Sequence, residues 1–155
     1  MSKEQCERTA RCWFEDLWSK ADLDVADAII DPGYAPDWVQ IDTSGPEQIK
    51  HEIRYFRSIF PDLEYDIVDM LAAEDRVWVR YRAAGTQSGS AWGFEPSGKR
   101  VEFEGATVLT VSPEGKVVDR WGAFCFYDLL VDLGHVPPLW ELSAHLSDSA
   151  GGEAE

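Results

Sequence analysis

Basic residues are scarce in this chain: 14 Lys and Arg stand against 29 Asp and Glu, a formal net charge of −15. Phosphate binding needs a basic surface, so the balance argues against nucleic acid and against anionic membrane as partners. It favours a neutral ligand over an anionic one, which the surface would repel. Cysteine is equally thin. Cys6, Cys12 and Cys125 are odd in number and fall at no metal-ligand spacing, so they read neither as a disulfide framework nor as a metal site. His51, His135 and His145 share no paired spacing either, and no metal is expected. No apolar run approaches membrane-spanning length, and the first residues, MSKEQCERTAR, contain no apolar signal core. Together these absences predict a soluble, reduced, cytoplasmic protein with no membrane contact. Gly85, Gly89, Gly93 and Gly98 do not match a phosphate-binding loop, and there is no internal repeat.

Bulk is what the chain does have. It contains seven Trp in 155 residues, and 45% of its residues are apolar, enough for one ordinary domain with a real core. Residues 1–146 read as that domain and 147–155, SDSAGGEAE, as a disordered acidic tail. Trp offers bulk and one N–H donor, which suits the wall of a pocket for a flat, greasy ligand, although filling the core is the plainer use.

The order of patterns defines the fold class. Ser2 to Lys20 reads as a helix, with Cys6, Ala10, Trp13, Phe14, Leu17 and Trp18 on one stripe and Ser2 with Gln5 as a capping box. A shorter helix follows Asp22 and ends at Asp31-Pro32-Gly33. A third starts at Pro46 and buries Ile49, Ile53, Phe56 and Phe60. The pattern then changes to strands over 64–71, 76–84, 100–111 and 116–126. Val77, Val79 and Tyr81 oppose Arg76, Trp78, Arg80 and Arg82, while Gly105 suggests a bulge or bend within its strand. Helices first and antiparallel strands after give α+β. A sheet curled around the first helix makes a cone, its mouth ringed by Tyr34–Asp42, the Gly85–Gly98 loop and the C-terminal helix.

The stretch EGKVVDRWGAFCFYDLLVDLG, residues 114–134, reads as the back wall of that cone. Asp119 lies two residues before Trp121, so on a regular strand the two share a face, expected to look inward. A carboxylate in an apolar pocket becomes a usable acid and base, which makes Asp119 the catalytic candidate; an ion pair with Arg80 or Arg82 is the structural alternative. Trp38, Gln87, Trp92, Trp121 and Phe124 are the expected ligand contacts: Trp38 between Asp37 and Asp42 in the mouth, Gln87 as donor and acceptor in the loop, Trp92 with Phe94 as a lid. An exposed apolar set on the off-face of the strands, Trp78 and Val108, points to a homodimer through the outer sheet.

The chain resembles the SnoaL-like polyketide cyclases, also called ester cyclases, within the group shaped like nuclear transport factor 2. The likeness rests on pieces in family order: Gly45-Pro46-Glu47, Phe60-Pro61-Asp62-Leu63, Glu74-Asp75-Arg76-Val77 with Arg80, Gly85-Thr86-Gln87-Ser88-Gly89, Gly93-Phe94, Pro96 to Val101, Gly115 to Trp121, and Leu129 through Gly134. It implies a conical α+β barrel, usually a homodimer, with a deep apolar pocket. It also implies ring closure in a polyketide by aldol chemistry, using a carboxylate and no cofactor. The family's usual His after Gly-Thr is Gln87 here, the acid after the Trp is Gly122, and a second frequent acid is Cys125. The alternatives to cyclase action are a non-catalytic binding or dimerisation module, an epoxide hydrolase, or a ketosteroid-type isomerase.

Overall fold

The structure, a computed structural model, describes residues 2–36 and 42–151, so Trp38 and Asp37 lie outside the described residues. Helix α1 covers Lys3–Arg11, and the Ser2 hydroxyl accepts from the Gln5 N–H at 3.2 Å, half of the expected capping box. The chain then widens into a π-helix over Cys12–Ser19, where a single α-helix was expected. This π-helix buries Trp13, Phe14, Leu17 and Trp18. Such wide turns are uncommon and often mark functional positions. Helices α2 (Asp24–Ile29) and α3 (Pro46–Ile59) follow, the latter opened by Gly45 and Pro46.

Four strands form one antiparallel sheet in sequence order: β1 (Glu64–Ala73), β2 (Arg76–Thr86), β3 (Arg100–Val111) and β4 (Val117–Phe124). The sheet curls over the π-helix, with Phe14 5.4 Å from Tyr81 and 5.8 Å from Tyr65 between ring centres. This is the expected α+β cone. Because the strands alternate in direction, the β1–β2 and β3–β4 turns share one end. Helix α1 closes that end, with Cys6 Sγ donating to the Glu74 carbonyl and Thr9 Oγ1 to that of Gly115. The 87–98 loop and helix α4 (Phe126–Asp132) lie at the other end. Gly134, at φ +80°, ends α4: its N–H donates to Val131 O and that of His135 to Leu130 O, the paired bonds of a left-handed helix stop. Helix α5 runs from Leu142 to Gly151, so the segment expected to be disordered from residue 147 continues as helix to that point.

Gly105 is not at a bulge, because β2 and β3 pair without a break from Arg76↔Thr110 to Thr86↔Arg100. It faces Tyr81 across the ladder, and an added Cβ would lie 2.3 Å from the Tyr81 hydroxyl oxygen. The glycine therefore makes room for the tyrosine. The consequential bulge is in β4. Thr110 pairs with Asp119 but Val111 with Val117, so Val118 is an extra residue and alternation reverses beyond it.

Arg57 ties three elements together. Its guanidinium donates to the carbonyls of Pro61 (2.8 Å), Trp18 (2.8 Å), Leu63 (2.7 Å) and Ser19. The end of the π-helix, the end of α3 and the start of β1 thus share one side chain.

Candidate functional site

The β4 bulge decides what faces the cone. Val117 points inward, but after Val118 it is Arg120, Gly122 and Phe124 that turn in, while Asp119 and Trp121 turn out. The expected inward face for Asp119 and Trp121 is therefore corrected. Trp121 is 58% exposed, and Asp119 lies on the convex side of the sheet near Arg76, Trp78 and Thr110. The alternative ion pair is not formed either, since Arg80 and Arg82 both pair with Glu104.

Inside the cone is a cavity of about 90 Å³. At roughly 10–15 Å³ per water-sized occupant, that is room for about one substituted ring. Its walls are largely aromatic: Trp13, Phe14 and Trp18 from the π-helix, Phe56 from α3, and Tyr65, Tyr81, Phe103 and Phe124 from the sheet. Phe124, an expected ligand contact, is thus in the wall. Its ring continues outward through Phe126 (5.6 Å) to Trp92 (4.9 Å from Phe126), so Trp92 stands outside the chamber at its rim. Its backbone, with Gly93 next to it, takes positive φ.

The charged centre of the cavity is Glu52 with Arg120. Arg120 Nη2 donates to both carboxylate oxygens, at 2.9 and 2.7 Å, and the guanidinium lies 5.3 Å from the centre of the Trp13 ring. Burial pulls the Arg120 pKa down, and the charge and hydrogen bonds of Glu52 more than reverse it. Among the described residues Glu52 is the one carboxylate lining this cavity. It was not singled out above, although the signal was present. Glu52 stands three residues after Ile49 and four before Phe56, in the middle of the buried stripe of α3.

Gly122, where the family's acid often stands, also lines the cavity. A Cβ there would meet Thr107 Oγ1 at 3.5 Å and the Ala106 carbonyl at 3.6 Å, ordinary contacts that leave space for a side chain. Cys125, the other departure, is exposed and precedes α4.

Gln87 is fully buried but serves the loop rather than the chamber. Its Oε1 accepts from the Ser97 N–H at 3.1 Å and from His135 Nε2 at 2.7 Å, and its Nε2 donates to the Gly89 carbonyl. His135 in turn stacks on Phe94 at 4.5 Å, which fastens the loop to the segment after α4. Gly89 must be glycine at this crossing, because a Cβ would come within 2.0 Å of the Ser58 carbonyl oxygen.

Three tyrosines around the site are kept protonated. Burial raises Tyr34, burial with neighbouring Tyr81 raises Tyr65 well above its ordinary value, and burial pushes Tyr81 up to about 12. The unfolded chain releases these protons near pH 10. Their contribution to stability is thus complete below about pH 10 and is lost as pH rises through about 12. In an absorbance titration at 295 nm, the phenolate signal of these three should appear only together with loss of the circular dichroism spectrum. Ionisation of all tyrosines near pH 10 in a folded protein would contradict their burial.

A curled four-stranded antiparallel sheet enclosing an aromatic cavity and the buried Glu52–Arg120 pair defines a cone of the nuclear transport factor 2 shape. The model of the SnoaL-like polyketide cyclases matches residues 8–133, and the chain belongs to that family. Among solved structures, TsrD from Streptomyces laurentii is similar at 19% identity and a TM-score of 0.79, covering 88% of this chain and 99% of its own. A candidate SnoaL-like polyketide cyclase from Jannaschia sp. CCS1 is 24% identical, with a TM-score of 0.74 and 87% and 94% of the two chains covered. IdmH from Streptomyces antibioticus, a candidate polyketide cyclase, is 22% identical, with a TM-score of 0.72 over 84% and 99%. No curated protein matches the sequence. Among the described residues no helix is long and apolar enough to cross a membrane.

Proposed function

We propose that this chain carries out acid/base chemistry of the cyclase type on a neutral, largely apolar ketone, with Glu52 in the role first expected of Asp119. The observation that carries this reading is a carboxylate buried in an aromatic cavity and paired there with Arg120. Arg120 Nη2 takes one lone pair from each oxygen, which leaves further lone pairs to accept a proton. Glu52 removes a proton alpha to the carbonyl, the C–H electron pair becomes the enolate double bond, and the charge moves to the oxygen. The enolate carbon then attacks a second carbonyl of the same molecule, and the proton returns to the new alkoxide. The net charge of −15 favours such a neutral ligand over nucleic acid, and an odd set of three cysteines suits a cytoplasmic setting.

The test uses acetophenone, a ketone of one substituted ring. In D₂O the protein should accelerate exchange of its methyl protons, followed by NMR. Glu52→Gln should slow that exchange by about 10²–10⁴-fold, the usual contribution of a positioned base. Glu52→Asp, which keeps the charge, should retain a measurable part. Acetophenone binding without exchange would instead mark a binding module of the same fold.

We also propose that the working unit is a homodimer through the convex face of the sheet. Leu71, Trp78, Val108 and Trp121 are consecutive partners across all four strands, a continuous apolar row. Leu71 is 61% and Trp78 52% exposed in the single chain. Such a row on a surface marks an interface, and the mixed charges around it suit a self-complementary contact. Light scattering at micromolar concentration should give twice the chain mass, and Trp121→Glu should give the monomer. A monomeric wild type would refute the dimer.

A further inference from the structure

Glycine inside a strand gives up conformational freedom and offers no side chain to pack, so its presence there needs a reason. Gly105 has one in the Tyr81 hydroxyl, which fills the place of a Cβ. Gly122, in the middle of β4, has none of that kind. Its φ is not positive, and an added Cβ would meet Thr107 Oγ1 at 3.5 Å and the Ala106 carbonyl oxygen at 3.6 Å, both ordinary contacts. Neither the backbone nor the packing excludes a side chain there. What the missing side chain leaves is a notch in the wall of the cavity that Gly122 lines.

The edge of that notch is polar. Thr107 is the direct partner of Gly122 across the β3–β4 ladder, so the two share the concave face. Thr107 is 6% exposed and lines the same cavity. On its other side it pairs with Val79, which is buried and apolar. Its hydroxyl is turned to the side that Gly122 leaves open, and among the described residues it makes no hydrogen bond. The oxygen is also within reach of a ligand. The unpartnered buried atoms closed to a water molecule include the Trp18 indole nitrogen and the Tyr34 hydroxyl, but not Thr107 Oγ1. A hydroxyl in an apolar wall is costly without a partner, so one is supplied from protein, water or ligand.

We propose that Thr107 and Gly122 form a subsite for a neutral oxygen of the ligand, a carbonyl or a hydroxyl, in which Gly122 provides the room and Thr107 Oγ1 the hydrogen bond. This deepens the reading of the cavity as a ketone site and rests on it. Gly122 follows Arg120 by two residues, so the notch lies one inward position, about 6–7 Å, along β4 from the Glu52–Arg120 pair. One substituted ring spans that distance. The threonine hydroxyl both donates and accepts, so it serves a ketone and an alcohol alike. A hydrocarbon of the same shape leaves it unpaired, and that loss is how a buried polar group separates isosteric ligands.

The full chain, labelled with ¹⁵N, is titrated with acetophenone, 1-phenylethanol and ethylbenzene, which share a shape and differ in the oxygen. The two oxygenated compounds should bind about three- to tenfold more tightly than ethylbenzene, the range one hydrogen bond supplies. The tighter of the two names the carbonyl or the hydroxyl as the preferred occupant. Thr107→Val keeps the shape and removes the hydroxyl, so it should bring the three affinities together while ethylbenzene binds as before. Thr107→Ser, which keeps the hydroxyl, should keep the preference. Gly122→Ala, which fills the notch, should weaken both oxygenated compounds. Neither Thr107→Val nor Gly122→Ala removes a contact of the empty protein, so their urea midpoints should equal or exceed that of the wild type. A lower midpoint in Thr107→Val would show that the fold itself uses the hydroxyl, and a preference that survives Thr107→Val would show that the oxygen binds elsewhere; either result overturns the proposal. If Glu52→Gln abolishes proton exchange while Thr107→Val keeps the preference, only the subsite falls. If none of the three compounds moves a cavity resonance at millimolar concentration, both readings fall together.

Discussion

Arg120→Met should lower the stability of this protein by about 3–5 kcal/mol, the usual cost of removing one partner from a buried ion pair. The side chains of Glu52 and Arg120 are only 10% and 5% exposed, so little solvent screening softens the loss. What remains after the substitution is a carboxylate in an aromatic chamber with its cation gone. Typical domains have about 5–15 kcal/mol in all, so a marginal fold would not survive the change. The double substitution Glu52→Met with Arg120→Met should recover most of the loss, because apolar groups of similar volume replace a buried pair at little net cost. Urea midpoints for the two single variants and the double variant decide the matter. Additive losses, or a loss below about 1 kcal/mol for Arg120→Met, would show that the pair is hydrated rather than buried.

Arg57→Met should be comparably damaging, by about 3 kcal/mol or more, for a different reason. No single carboxylate is lost. Instead the carbonyls of Trp18, Ser19, Pro61 and Leu63 lose their shared donor at once. Each carbonyl left buried and unpaired costs about 1–3 kcal/mol, reduced where water reaches it; the Arg57 side chain is itself only partly buried. The damage should also be local. The end of the π-helix would loosen first, which hydrogen exchange at residues 18–20 should register before the sheet is affected. Arg57→Lys should not rescue the fold, since one ammonium cannot span four carbonyls in the planar fork geometry. Full stability in Arg57→Lys would show that most of those bonds are dispensable.

The fold was largely legible because its signals are local. Period-two alternation in β2 placed Val77, Val79 and Tyr81 on one face and Trp78 on the other, as found. Pro46 marked the start of α3 through a backbone restriction that holds in any context. The site was less legible. Gln87 has the chemistry of a ligand contact, but the closure of a loop on itself and on His135 uses up its amide. Glu52 sat unremarked in an apolar stripe, because nothing within α3 says which residue of another element will meet it.

By itself the sequence determined the order of helices and strands, the curled antiparallel sheet and the apolar lining of the cone. Those follow from hydrophobic period, turn chemistry and chain order, which act between residues a few positions apart. Tertiary structure alone decided which carboxylate enters the cavity. Val118 is an ordinary residue, and its bulge lies next to Val117, which pairs with Val111 of β3 and also bridges to Ile30. One extra residue there turns Asp119 and Trp121 out and Arg120 in. The buried guanidinium then meets Glu52 across a sequence separation of 68 residues.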